Sequence, residues 1–128
     1  MKDVPGVDSF RAVDFGEHPF SEQMRIVHNT SILVGMHGGG LFHTLSMDTD
    51  RRVSVIELYP KRWADGRGPT IGHIAKLLGI RHRKLESTEP ASVQEIKKRG
   101  TGTLVPATEL RELVASAAAW IRAGTLGP

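Results

Sequence analysis

No cysteine occurs anywhere in the 128 residues. That excludes a disulfide framework and any metal site held by thiolates. Aromatic residues make up only 5% of the chain, so a stacking platform for single-stranded nucleic acid is not expected. Neither sign of charge dominates: 17 basic and 14 acidic side chains give a formal +3, too little to point to nucleic acid. No apolar stretch approaches the roughly 20 residues of a membrane helix. Residues 1–6, Met-Lys-Asp-Val-Pro-Gly, lack the apolar run of a signal peptide, and the chain itself leaves the compartment open. There are six histidines, but no His-Glu-x-x-His pair or carboxylate cluster accompanies them, so no metal is expected. Hydrogen-bonding or structural roles are expected for His28, His43, His73 and His82.

What is present is enough chain for one ordinary domain and one unusual stretch at residues 31–41, Ser-Ile-Leu-Val-Gly-Met-His-Gly-Gly-Gly-Leu. The apolar run Ile32, Leu33, Val34 stops at Gly35. Met36, His37 and the glycines Gly38, Gly39 and Gly40 follow, and then Leu41, Phe42 and Leu45 at helical spacing. This reads as a buried strand, a tight glycine loop and the start of a helix. Such a loop lets backbone approach a ligand closely, and free N–H groups at a helix start attract a phosphate.

Around this stretch the pattern alternates strand and helix. Residues 1–9 are polar and read as a lead-in. Residues 10–15 suit a short strand, and residues 16–19 a turn. Phe20, Met24 and Val27 fall at i, i+4 and i+7, predicting an amphipathic helix ending near Asn29. Residues 47–52 form a surface connection. Residues 53–58, Val-Ser-Val-Ile-Glu-Leu, predict a second buried strand closed by Tyr59 and Pro60. Residues 61–68 form a basic loop, and Pro69 opens a helix with Ile71, Ile74, Ala75 and Leu78 inside and Gly79 as its stop. Residues 80–85 suit an edge strand, being rich in Arg and Lys. A short helix is expected over 90–99, and Leu110, Leu113, Val114, Ala117 and Ile121 predict a longer one over 108–123. The sum is an α/β fold: a Rossmann-like parallel sheet flanked by helices, over residues 10–128.

Known glycine loops can be tested against these residues. A P-loop needs Lys and Ser or Thr after its last glycine; Leu41 and Phe42 stand there. The dinucleotide fingerprint read from Gly38 needs glycine where His43 stands. His-Gly-Gly-Gly at 37–40 matches the oxyanion-hole motif of some esterases, but no Gly-x-Ser-x-Gly nucleophile follows, so hydrolase chemistry is not expected. Glu57 lies near the end of the second strand, about where dinucleotide folds place a ribose-binding carboxylate. It is equally readable as a solvated strand-end carboxylate or one paired with Arg52 or Lys61. Arg51, Arg52, Lys61, Arg62 and Arg67 read as solvated surface or as charges that offset a diphosphate.

Three blocks together resemble glycosyltransferase family 61: Phe-Ser-Glu-Gln at 20–23, Ile-Leu-Val-Gly-Met-His-Gly-Gly-Gly-Leu at 32–41, and Val-Ile-Glu-Leu-Tyr-Pro at 55–60. Their order and spacing match over about residues 10–85; residues 87–128 add C-terminal helices. The resemblance implies the donor-binding half of a two-domain, GT-B-type enzyme that transfers a sugar with inversion. The donor is a nucleotide sugar, UDP-linked, and the acceptor a glycan or protein hydroxyl. It implies no cofactor and no metal. By position it assigns the donor loop to Gly35, His37, Gly38, Gly39, Gly40 and Leu41, with a ribose-binding or loop-fixing role for Glu57. His37 is the candidate catalytic residue in this chain, contacting the diphosphate or sugar or acting as base. The base is expected from an N-terminal acceptor domain, with His37 as the alternative base, and that domain is expected to be missing here, leaving this chain inactive alone. The family setting implies Golgi or ER lumen for a eukaryotic source and cytoplasm for a bacterial one. The chain departs from the family pattern at Gly39, where alanine is usual, in an insertion over 48–52, and at His82, where tyrosine is usual. A non-catalytic nucleotide-binding or scaffold domain is the second reading, because it too would keep the loop.

Overall fold

The computed structural model describes residues 3–36, 39–61, 70–90 and 106–125. Three strands form one parallel sheet in the order β1 (Ile32–Met36), β2 (Ser54–Lys61) and β3 (Arg81–Pro90). The helices are α1 (Phe20–His28), α2 (Thr70–Leu78) and α3 (Ala107–Thr125), with 3-10 helices at Phe15–Glu17 and Gly39–Ser46. The expected parallel α/β sheet flanked by helices is therefore present.

The sheet separates two apolar layers because side chains alternate along β2. Val53 and Val55 pack on one face with Val27 of α1, Leu41 and Met47, Ile71 and Ala75 of α2, and Ile80. Ile56 points to the other face, against Val4 and Val114, with Leu110 and Leu113 of α3 beside them. The near-continuous apolar run of β2 is what a central parallel strand covered on both faces requires; β1, expected as a buried strand, lies at the end of the strand order and has Val34 and Met36 exposed.

Register places the functional stretch. Leu33 pairs with Val55, Gly35 with Glu57 and Met36 with Leu58, so β1 ends beside Leu58 while β2 runs on to Lys61. On the other side of β2, Val55 pairs with His82 and Glu57 with Lys84. β3 lies at the end of the strand order, as its basic residues suggest, but runs beyond Leu85 to Pro90. β2 continues past Tyr59 to Lys61 through an irregularity in the ladder, rather than closing at Tyr59.

Several local expectations change. Residues 10–14 form no strand; Asp14 instead accepts from Gly16 N–H at 2.9 Å and caps the 3-10 turn Phe15–Glu17. α1 starts where expected, with Pro19 as N-cap and Ser21 inside its first turn. Leu78, at the last position of α2, is 37% exposed, while Ile71 and Ala75 are buried. Gly79 stops the helix at φ +73°, a left-handed conformation that favours glycine. The expected helix over 90–99 does not begin at Pro90, which ends β3; its remainder and the basic loop from 62 to 68 lie outside the described residues.

The segment before residue 10 contributes to the core. Val4 is buried. Asp3 accepts from Arg111 Nη2 at 2.6 Å, and that guanidinium holds its carboxyl below the usual range. Arg122 donates to the carbonyl of Gly6. Gly6 has φ +85°, and a Cβ there would stand 3.1 Å from the Cβ of Ala118, so the chain passes close against α3. Among the described residues, no helix is long and apolar enough to cross a membrane.

Candidate functional site

The glycine loop leaves the carboxyl end of β1, which is where open parallel sheets place their ligands. Gly35 is the last β1 residue facing the α1–α2 side. A Cβ on it would come within 2.9 Å of Leu41 Cδ2, so its lack of a side chain lets Leu41 fold back over the strand end. His37 and Gly38 lie outside the described residues. Gly39 and Gly40 open the helix that follows.

That helix is 3-10, not the α-helix its spacing predicted. The buried positions are Leu41, Thr44 and Met47, three residues apart, which is the period of a 3-10 turn. Thr44 is fully buried, and its hydroxyl donates to the Leu41 carbonyl at 2.6 Å, three residues back. Phe42 and Leu45, which an α-helical wheel puts with Leu41, are 47% and 61% exposed.

A second set of contacts holds this helix against α1. Gln23 Nε2 donates to the carbonyls of Phe15 and His18 at 2.7 and 2.8 Å. Its amide oxygen then faces His43 Nε2 at 2.8 Å, which requires His43 to donate from Nε2. The imidazole lies edge-on to Phe15 at 4.8 Å and beside Phe20 at 5.5 Å. His28 Nδ1 meets the Ser46 carbonyl at 3.3 Å, at the far end of the same helix. His28 and His43 thus have the hydrogen-bonding roles expected of them, and His73 lies on the exposed side of α2.

Glu57 is fully buried. Its Oε1 accepts from His82 Nε2 at 2.5 Å, across from β2 to β3. The Tyr59 hydroxyl, two residues along the same face, also donates to the Glu57 carboxylate. Burial first, then the charge of Glu57 and the hydrogen bond to it, push the Tyr59 phenol up to about 12. Lys84 Nζ sits over the Tyr59 ring at 5.4 Å. His82 is therefore a partner of Glu57, and Arg52 is not near it. His82 thus has the hydrogen-bonding role expected of it, with a partner that the sequence does not name. The signal for the pair is a cross-strand register that no local pattern encodes.

The arginines before β2 sit at the opposite end of the sheet from the loop. Arg51 donates to Ser31 Oγ at 2.7 Å and lies 3.5 Å from Asp48. Arg52 donates to the Trp120 carbonyl at 2.8 Å and stacks 4.8 Å from that indole. Arg81, at the start of β3, approaches the same ring at 6.0 Å and donates to Ser116 Oγ at 2.9 Å. Burial and the neighbouring Arg83 charge lower its pKa. Arg51 and Arg52 are thereby removed as candidates for offsetting a diphosphate at the loop. Lys61 ends β2 on the loop side, and Arg62 and Arg67 lie outside the described residues. Among the described residues, no three His, Asp or Glu side chains gather as a metal site would need.

Comparison with known proteins follows the same stretch of chain. The family model described as Glycosyltransferase 61 matches residues 1–54, which includes the glycine loop and ends at the start of β2, before Glu57. The EGF domain-specific O-linked N-acetylglucosamine transferase of Drosophila melanogaster is 35% identical over 81 residues, covering 60% of this chain and 14% of that protein. The Gallus gallus protein of the same name is 53% identical over 45 residues, covering 35% of this chain and 8% of its own length. The Rattus norvegicus one is 47% identical over 51 residues, covering 38% and 9%. The chain thus spans only a small part of the curated relatives it matches. No solved structure matches it. Over the part of its length that these matches cover, the chain is similar to glycosyltransferase family 61.

Proposed function

We propose that the carboxyl end of this sheet is the donor-binding part of an inverting glycosyltransferase, one half of a GT-B-type enzyme. The nucleotide of a UDP-linked sugar sits against the glycine loop, its diphosphate toward the N–H groups that open the 3-10 helix. An acceptor hydroxyl of a glycan or protein attacks the anomeric carbon. The new C–O bond forms as the bond to the diphosphate breaks, and a base takes the hydroxyl proton. The loop stabilises charge on the departing nucleoside diphosphate. His37 contacts the diphosphate or sugar in this reading, and the base and acceptor platform come from an N-terminal domain outside this sequence. Residues 10–128 form the donor domain.

The observation that carries this reading is the alignment of Gly35 with Glu57 in the last rungs between β1 and β2, next to where the glycine stretch leaves β1. Of the two roles open to Glu57, its complete burial and its bonds to His82 and Tyr59 support loop fixing over direct contact with a ribose.

Titration of the isotopically labelled chain with UDP, UMP and inorganic phosphate tests the reading by NMR. UDP is expected to bind in the millimolar to high-micromolar range, because a pocket shared between domains is only half formed here. Shift changes are expected to cluster at residues 35–45 and 53–62. Shifts scattered elsewhere, or none at millimolar UDP, overturn the assignment.

A further inference from the structure

We propose that His82 is a positioning residue: through Glu57 it fixes the point at which the chain leaves β1 for the glycine loop. The inference rests on the donor-site reading only for its functional consequence; the mechanical part stands on the sheet alone.

Glu57 and Leu58 are the last β2 residues paired with β1, opposite Gly35 and Met36. Whatever holds Glu57 in place holds the final rungs of the ladder from which the loop departs. Glu57 carries a fully buried carboxylate. Such a group is tolerated only when donors surround it. Its donors come from two directions: Tyr59 along its own strand and His82 from β3. His82 is itself placed by register opposite Val55, on the same face as Glu57. The sequence of contacts therefore runs from β3 through the carboxylate of β2 to the end of β1. Leu41 packs over Gly35, so a shift at that end passes directly to the start of the 3-10 helix. Without the imidazole, the buried carboxylate loses its cross-strand donor. The last rungs must then open to water or turn Glu57 outward, and the loop loses its fixed origin.

The test compares His82→Phe, which keeps an aromatic ring but no donor, with His82→Gln, which keeps an N–H donor. Amide hydrogen exchange is read first, without ligand. Faster exchange in His82→Phe confined to residues 35–41 and 57–59, and largely restored in His82→Gln, is the expected result. Exchange that rises equally at Val27, Ile71 and Ala75 makes His82 an ordinary core residue and overturns the proposal; unchanged exchange does the same. Should the Phe variant fail to fold, the imidazole 15N signals of the wild-type chain carry the test. His82 Nε2 must show the protonated, hydrogen-bonded signature, and loss of that signature in Glu57→Gln is expected. An Nε2 that is unprotonated, or signals indifferent to Glu57→Gln, overturns it.

UDP titration then reads the consequence. Affinity is expected to fall at least five-fold in His82→Phe and to recover most of the way in His82→Gln. Equal UDP affinity in wild type and His82→Phe refutes the positioning role. Wild-type chain that ignores UDP refutes the donor-site reading instead, and leaves the exchange result to decide this one.

Discussion

Gly35→Ala is a perturbation whose sign is set by one contact. Gly35 is in an ordinary extended strand; the positive-φ glycines among the described residues are Gly6 and Gly79. By backbone entropy alone, alanine here stabilises by about 0.4–1 kcal/mol. The contact opposes this. The new methyl stands 2.9 Å from Leu41 Cδ2 and 3.5 Å from its Cγ, whereas carbon atoms rest at roughly 3.5–4.0 Å. The leucine tip must retreat by about 0.6–1 Å. It is 3% exposed and enclosed by the core of Val27, Val55 and Ile71, so it has little room. Overpacking of this kind costs about 1–3 kcal/mol, which outweighs the entropy gain. Leu41→Ala alone removes buried methyl groups and costs about 2–5 kcal/mol. In the double variant the new methyl enters space that Leu41 has vacated. Gly35→Ala is then expected to be neutral or stabilising, giving a coupling of about 1 kcal/mol or more. Urea melts of the four species measure it. A Gly35→Ala cost that is the same within about 0.5 kcal/mol in both backgrounds means that Leu41 does not close over the strand end.

Three further outcomes are expected. Tyr59 is the one tyrosine in the chain, so absorbance near the phenolate band reports it alone; it should titrate at about 12 in the folded protein, against 10.0 for the free group. Because the folded value is the raised one, the stability linked to Tyr59 is fully present below the unfolded pKa and is lost as pH climbs through the folded one; Glu57→Gln should bring the titration part of the way back, since burial remains, and a Tyr59 that titrates normally while folded refutes its enclosure. Gly39→Val should abolish UDP binding with little loss in thermal midpoint. Val55→Asp, which puts a second carboxylate on the buried face of β2, should cost several kcal/mol and unfold the domain; equal loss of folding in both variants would make the loop a plain structural turn. The purified chain alone should transfer no sugar to glycan or peptide acceptors, and radiolabelled product from a UDP-sugar would disprove the need for a second domain.

Local pattern determined a good deal of this protein. The apolar runs at 32–34 and 53–58 are both strands; the second is buried because it lies between two neighbours, while the first ends the strand order with Val34 36% exposed. The periodicities of α1, α2 and α3 are legible because each helix covers one layer of the sheet, and Gly79 stops α2 because glycine takes the left-handed conformation cheaply. The glycine stretch is visible because consecutive glycines are costly in the interior of an α-helix or strand, and two of them open the 3-10 helix instead. Tertiary structure alone decided the rest. Leu41, Phe42 and Leu45 fit an α-helical stripe, but packing against α1 and α2 selects Leu41, Thr44 and Met47 and a 3-10 turn. Val4 looks like part of a polar lead-in until α3 arrives from more than a hundred residues away to cover it. His82, 25 residues from Glu57 in sequence, becomes its partner only through the register of β3 against β2. Arg52, five residues from Glu57 and of the right charge, lies at the opposite end of the sheet, because a strand carries its neighbours apart by about 3.3 Å per residue.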